Sequence, residues 1–290
     1  MEINTKKIVE EWKANLKKEV EELGARPRLA IITAPGFNEA SHIYVRNKCK
    51  VAEEIGIDVE VIEMDWQGKT ASMIYNDLFW KVAEIDRTFN GIIIQSPYPN
   101  ISNKVIGEIL NPIANKDVDG FSSKQKLLLM ENDENALVPC TALGVMHLLD
   151  NLYEDLTGKT ISICSRSELI GAPLLQLALQ RNMTPKVIHS KSKYEPLDSE
   201  IIVTGCGQRK IFGVYDIEYD VETIIDCSMT KKEGVQGVGD WDKEEILDCS
   251  FIDVNIASGY GHTGLLTTAG LMANVIKAFK IQKSVDKLNK

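Results

Sequence analysis

Short, uninterrupted apolar runs recur along this chain with amphipathic stretches between them, and that alternation narrows the fold more than any other feature. Leu29–Thr33, Val59–Ile62, Gly91–Gln95, Ile161–Cys164, Lys186–His189, Ile201–Thr204 and Thr223–Asp226 read as strands. Runs without polar alternation suit strands buried on both faces of a parallel sheet. Between them the spacing predicts helices over about 40–55, 71–89 and 170–180. Ile8, Val9, Trp12, Leu16, Val20 and Leu23 mark an opening helix that Gly24 stops, and a helix over about 266–279 closes the chain. The expectation is an α/β protein of two lobes meeting near residues 135–145, with a ligand cleft between them.

Composition excludes several functions. A net charge of −9 disfavours phosphate backbones and anionic lipid, so neither nucleic acid nor membrane is expected as a partner. No apolar stretch nears the roughly 20 residues of a membrane helix, and the N-terminus lacks the pattern of a signal peptide. The six cysteines are scattered, with no C-x-x-C pair and no zinc spacing. Several sit inside apolar runs and read as structural thiols, which points to a reducing, cytoplasmic compartment, and no metal site is expected.

Four segments could carry chemistry. Ser41, Tyr44 and Lys48 share one helical face, which can bring a phenol and an amine to one centre; the plainer reading of Lys48 is a solvated surface lysine. Gln95 ends a strand on the rim where parallel sheets bind ligands, unless it only caps the loop Ser96-Pro97-Tyr98-Pro99. In Lys116-Asp117-Val118-Asp119-Gly120-Phe121 a tight turn could aim one carboxylate into a pocket, or be a turn and nothing more. Ser165-Arg166-Ser167 joins a strand to a helix, where free N–H groups and a guanidinium suit a phosphate, although no G-x-G-x-x-G is present. After the next strand, Ser190 and Lys191 suit a 2′-phosphate better than a bare ribose, or form an ordinary polar loop. The four histidines form no cluster, and there is neither a G-x-S-x-G elbow nor a Walker loop.

Taken in order, Ser41-x-x-Tyr44-x-x-x-Lys48, Gln95-x-Pro97-x-Pro99, Lys116–Phe121, Pro139-Cys140-Thr141, Arg166-Ser167-x-x-x-Gly171-x-Pro173 and His189-Ser190-Lys191 resemble the bifunctional methylenetetrahydrofolate dehydrogenase/methenyltetrahydrofolate cyclohydrolase family, from Glu22 to Asn274. The resemblance implies a folate-binding catalytic lobe over residues 1–138, completed by a C-terminal helix over about 268–290. It implies a Rossmann-like NADP lobe with a parallel sheet over 139–267. It also implies a cytoplasmic homodimer in one-carbon metabolism. The implied chemistry is NADP-dependent oxidation of 5,10-methylenetetrahydrofolate, then hydrolysis of the methenyl product to 10-formyltetrahydrofolate. By matching position, Lys48 is the general acid/base, Gln95 its hydrogen-bond partner, Tyr44 a folate-positioning ring and Asp119 the pterin holder. Ser165, Arg166, Ser167 and Ser190 match the phosphate contacts. Met229 matches an apolar cofactor neighbour, and Thr141 lies near the nicotinamide.

The differences from the family pattern cluster in the second lobe. Ser165 replaces a glycine, Ala142 a proline, and Asp226-Cys227-Ser228 an aspartate-valine-glycine run. Residues 257–267, Ala-Ser-Gly-Tyr-Gly-His-Thr-Gly-Leu-Leu-Thr, lack three prolines of the family loop, which removes stiffness that would help place the ligands. Two other readings stay open: the same fold keeping only the cyclohydrolase activity, and a non-enzymatic folate- or nucleotide-binding protein.

Overall fold

Apolar runs that reject water on both faces become the central strands of two parallel sheets. The computed structural model describes residues 1–192, 197–218, 220–232, 235–259 and 261–288. In chain order the elements are α1 (Thr5–Glu22), β1 (Arg28–Thr33), α2 (Glu39–Ile55), β2 (Asp58–Glu63), α3 (Ala71–Ile85) and β3 (Gly91–Ile94). Next come α4 (Asn103–Leu110), α5 (Ser123–Met130), α6 (Cys140–Leu152), β4 (Thr160–Cys164), α7 (Gly171–Gln180), β5 (Thr184–Val187) and β6 (Ile201–Thr204). The last are β7 (Thr223–Asp226), β8 (Thr230–Lys232), β9 (Val235–Val238), α8 (Lys243–Asp248), β10 (Asn255–Ala257) and α9 (Thr263–Leu288).

The chain divides into two compact units: residues 11–140 with 268–290, and residues 1–10 with 141–267. The first holds the parallel sheet β2-β1-β3. β1 and β3 are buried almost throughout, whereas the edge strand β2 keeps Asp58, Glu60 and Glu63 on it, charges that protect an open edge. A parallel bridge between Ile92 and Asp117 lays the acid-bearing loop along the other edge of β3. Because β2 and β3 flank β1, the order reverses between β1 and β3, and parallel sheets bind ligands beyond the strand ends at such a point.

The second unit holds the parallel sheet β10-β7-β6-β4-β5 and the antiparallel hairpin β8-β9. Its core packs Trp241, Ile202, Ile224, Val254 and Ile256 together. Its order reverses between β4 and β6, which puts the turns after Cys164 and Thr204 at the rim.

Several elements differ from the sequence reading. Residues 1–10 group with 141–267 rather than with the first lobe, because Ile3 N–H donates to Ile256 O and Ile256 N–H to Met1 O, so the N-terminal segment extends the sheet beyond β10. The helix expected to reach Phe89 ends at Ile85: Phe89 turns inward, 4% exposed, and Asn90 N–H already bonds Arg28 O to begin the next strand. β5 starts at Thr184 and stops before His189, which closes a turn instead. α9 is longer than expected at both ends. Among the described residues no helix is long and apolar enough to cross a membrane.

Candidate active site

In the first unit, α2 follows β1 and lifts its polar face over the strand ends. Lys48 is half-buried, and its Nζ donates to Gln95 Oε1 at 3.0 Å. Gln95 follows β3 directly, and its N–H still bonds Ile32 O, which holds its backbone in the ladder. Its side chain is 8% exposed, and Nε2 donates to Ser96 O at 2.8 Å, so the carboxamide presents its oxygen to the amine. Ser41 is buried one helical turn before Tyr44, whose ring is exposed.

The two aspartates of the Lys116–Phe121 loop have different jobs. Asp117 is fully buried: Oδ1 accepts from Gly120 N–H at 3.1 Å and Oδ2 from Ser122 N–H at 2.6 Å. Burial pushes its carboxyl up to about 6, with the Asp119 charge adding to it and hydrogen bonds from Ser122 and from the Phe121 backbone opposing it. Gly120 has φ +73°, and a Cβ there would lie 2.9 Å from Leu137 O, so only glycine completes this turn. Asp119 keeps its half-exposed carboxylate outside that network, with Oδ1 3.6 Å from Cys140 Sγ. The Cys140 thiol is pushed well above its ordinary range, first by burial and then by the Asp119 carboxylate, while the Lys48 ammonium opposes them. The buried Cys140 sulfur therefore feels the charge of both Lys48 and Asp119, and Lys48, Gln95, Asp119 and Cys140 all belong to the first unit.

In the second unit, the turn after β4 carries Ser165, Arg166 and Ser167. Arg166 and Ser167 are exposed. Ser165 is 8% exposed and its side chain faces inward: Oγ donates to Ser167 Oγ at 3.2 Å and accepts from Ser167 N–H at 3.4 Å. It fills the place of the family glycine without projecting from the rim. Ser167 Oγ in turn accepts from Ile170 N–H at 3.1 Å, which leads the chain into α7. A Cβ on Gly171 would meet Ser165 O at 2.0 Å, so this glycine lets the helix start close against the strand, as a dinucleotide-binding turn requires. After β5, His189 Nδ1 accepts from Lys191 N–H at 3.0 Å and leaves Ser190 and Lys191 exposed at the same sheet end. Met229 lies half-buried across Gly237 of β9. Thr141 Oγ1 is 3.2 Å from Thr267 Oγ1, and Ala142 is fully buried.

The loop 257–267 is held by hydrogen bonds rather than by the missing prolines; its Tyr260 lies outside the described residues. Ser258 Oγ donates to Asp226 Oδ2 at 2.7 Å, and Thr263 Oγ1 donates to Asp226 O at 3.2 Å. His262 bridges Thr5 Oγ1 at 2.9 Å and Glu2 Oε1 at 3.0 Å. Ser228, in place of the family glycine, donates to Asp240 Oδ2 at 2.8 Å and accepts from Gly207 N–H at 2.9 Å.

Three residues of these sites escaped the sequence reading: Asp117 as the loop anchor, Cys140 as the neighbour of both charges, and Asn274, which bonds the same loop. The D-V-D-G spacing could have revealed the first, since an aspartate three residues before a glycine readily accepts that glycine's N–H. Among the described residues no group of three His, Cys, Asp or Glu side chains is arranged to hold a metal ion.

Comparison with known proteins matches two stretches of the chain to one family. Residues 3–119 match the family described as tetrahydrofolate dehydrogenase/cyclohydrolase, catalytic domain, and residues 139–283 match the NAD(P)-binding domain of the same family. The chain is 34% identical over 291 residues to the "Bifunctional protein FolD" of Rickettsia bellii, covering 96% of this chain and 98% of that one. It is 32% identical over 293 residues to the Staphylococcus aureus protein of the same description, covering 98% of each. Among solved structures it is similar to the Thermoplasma acidophilum bifunctional 5,10-methylenetetrahydrofolate dehydrogenase/cyclohydrolase, with TM-score 0.87, 28% identity, and 98% and 100% of the two chains covered. It is also similar to the Trypanosoma brucei enzyme complexed with NADP cofactor and inhibitor, with TM-score 0.83, 25% identity, and 97% and 98% covered.

Proposed function

The chain belongs to the tetrahydrofolate dehydrogenase/cyclohydrolase family, and from that premise we propose that it oxidises 5,10-methylenetetrahydrofolate with NADP and hydrolyses the resulting 5,10-methenyltetrahydrofolate to 10-formyltetrahydrofolate. The observation that carries the hydrolytic half is the Lys48–Gln95 hydrogen bond of 3.0 Å. Water adds to the methenyl carbon of the cation and the bond from that carbon to N5 breaks; the oxygen gives up both of its protons as the formyl C=O forms, one reaching N5 and the other released to solvent. Lys48 Nζ moves those protons, while Gln95 holds the amine on one side of the pocket. Asp119 accepts hydrogen bonds from the pteridine ring, and exposed Tyr44 lies against the folate.

NADP, when bound, accepts the hydride of the oxidation. The second unit fits it: the strand order reverses at β4 and β6, Gly171 permits a close helix start, and Arg166 and Ser167 are exposed there. Arg166 pairs with phosphate through its planar fork. Ser190, with Lys191 beside it, faces the 2′-phosphate. Ser165 and Ser167 shape the turn that offers backbone N–H groups to the pyrophosphate. Met229 would be an apolar neighbour of the cofactor, and Thr141 would lie near its nicotinamide.

The protein acts as a homodimer in the cytoplasm. All six cysteines are free, as a reducing compartment keeps them. Light scattering on the eluting protein gives the mass that tests the dimer.

Two assays test the activity: NADPH formation from methylenetetrahydrofolate, and decay of methenyltetrahydrofolate absorbance without NADP. Both signals are expected. Decay without NADPH overturns the oxidative half and leaves a cyclohydrolase; neither signal, with folate bound, overturns the enzymatic reading.

A further inference from the structure

Asn274 lies on α9, remote in sequence from the rest of the lysine pocket, yet its carboxamide ends in the acid-bearing loop of the same unit. It is 2% exposed, and Nδ2 donates to Val118 O at 2.8 Å and to Val138 O at 2.7 Å. We propose that Asn274 is a positioning residue that sets the direction of the Asp119 carboxylate toward the folate; the proposal rests on the reading above that Asp119 holds the pteridine.

The argument runs through one peptide plane. Val118 O belongs to the peptide whose nitrogen is that of Asp119, so holding that oxygen fixes the plane from which the Asp119 side chain leaves. The same oxygen takes the Cys140 thiol at 3.2 Å, and that sulfur is 3.6 Å from Asp119 Oδ1 and 3.7 Å from Asn274 Nδ2. Asp117 anchors the loop from the other side through Gly120 and Ser122. Asp119 therefore sits between two clamps, one on each flank, and has no such bond of its own beyond the thiol contact. An amide nitrogen has two hydrogens, and here each meets a carbonyl. Aspartate at 274 would oppose oxygen to oxygen, and leucine would leave both carbonyls bare in the core.

A merely structural asparagine would lower stability without singling out one substrate. A positioning asparagine makes a different mark: a raised KM for folate in both reactions, little change in kcat, an unchanged KM for NADP, and dependence on Asp119. The test is a double-mutant cycle on the full chain with Asn274→Leu, Asp119→Ala and the double variant, each checked by urea denaturation. Asn274→Ser, a gentler change, takes the same place in the cycle if the leucine variant does not fold. We expect Asn274→Leu to raise the folate KM by about tenfold or more, the size of one weakened hydrogen bond to a charged group. The double variant should fall within about twofold of Asp119→Ala alone, the sign of two residues acting through one contact. Effects that multiply, or a kcat loss at unchanged KM, overturn the proposal while leaving the role of Asp119 intact. An unchanged folate KM in Asp119→Ala overturns the pteridine role and the proposal with it.

Discussion

Lys48→Met takes away one amine and almost nothing else. Methionine matches the lysine stem in length and keeps its packing on α2, but it cannot move a proton. Positioned general acid/base groups contribute roughly 10²–10⁴ in rate, so hydrolysis of methenyltetrahydrofolate should fall by that factor, or about 3–5 kcal/mol of barrier. The structure also sets a cost in stability. Gln95 Oε1 loses its 3.0 Å donor, and it cannot turn to water because Nε2 is committed to Ser96 O and the residue is 8% exposed. An acceptor left so placed costs about 1–3 kcal/mol. Folate affinity should change less, since Asp119 and Tyr44 remain. The assay is the decay of methenyl absorbance without NADP, set beside folate binding by titration calorimetry on the same preparation. Hydrolysis within tenfold of the parent protein would refute the proton-shuttling role, and loss of folate binding in step with hydrolysis would make Lys48 a binding residue instead.

Two further predictions concern the second unit. Arg166→Ala should weaken NADP binding by about tenfold while leaving NAD binding nearly unchanged; an exposed charge-assisted contact belongs at the lower end of its usual range, and equal losses for both cofactors in a titration would show that Arg166 does not read the 2′-phosphate. Asp226, fully buried beside Asp240, has its carboxyl raised from 3.8 to about 6, first by burial and also by the Asp240 charge, against the Ser258 and Ser228 donors. Its folded state binds the proton more tightly than the unfolded chain, so its contribution to stability is complete below about pH 4 and is lost as pH rises through 6, at most about 3 kcal/mol for a shift of this size. Asp226→Asn should lower stability at low pH, because at least one of the Ser228, Trp241 and Ser258 donors loses its acceptor, and should flatten this part of the pH profile; an unchanged slope of the urea midpoint between pH 4 and 6 would refute it.

The strands were legible because burial on two faces leaves no room for polar alternation: β1, β3, β4, β6 and β7 all stand where apolar runs predicted them. The helices α4, α5 and α6, of 8, 8 and 13 residues, went unread, and so did several shorter elements. β8, β9, β10 and α8 span three to six residues each, too few for a period to register. The end of α3 at Ile85 rather than Phe89 was decided by the sheet, which needed Asn90 at Arg28.

The same division holds at the sites. Local order along the chain determined that a helix would carry Tyr44 and Lys48 on one face, that Gln95 would end a strand, and that Lys116–Phe121 would turn. Tertiary structure alone decided that Asp117 is buried as an anchor while Asp119, two residues on, keeps its carboxylate half-exposed, for burial depends on what packs against a turn and not on the turn itself. It also brought Asn274 to Val118 across 156 positions and laid the first residues of the chain beside β10. Periodicity reports which face of an element avoids water; which distant carbonyl or strand edge will meet that face is fixed only when the whole core closes.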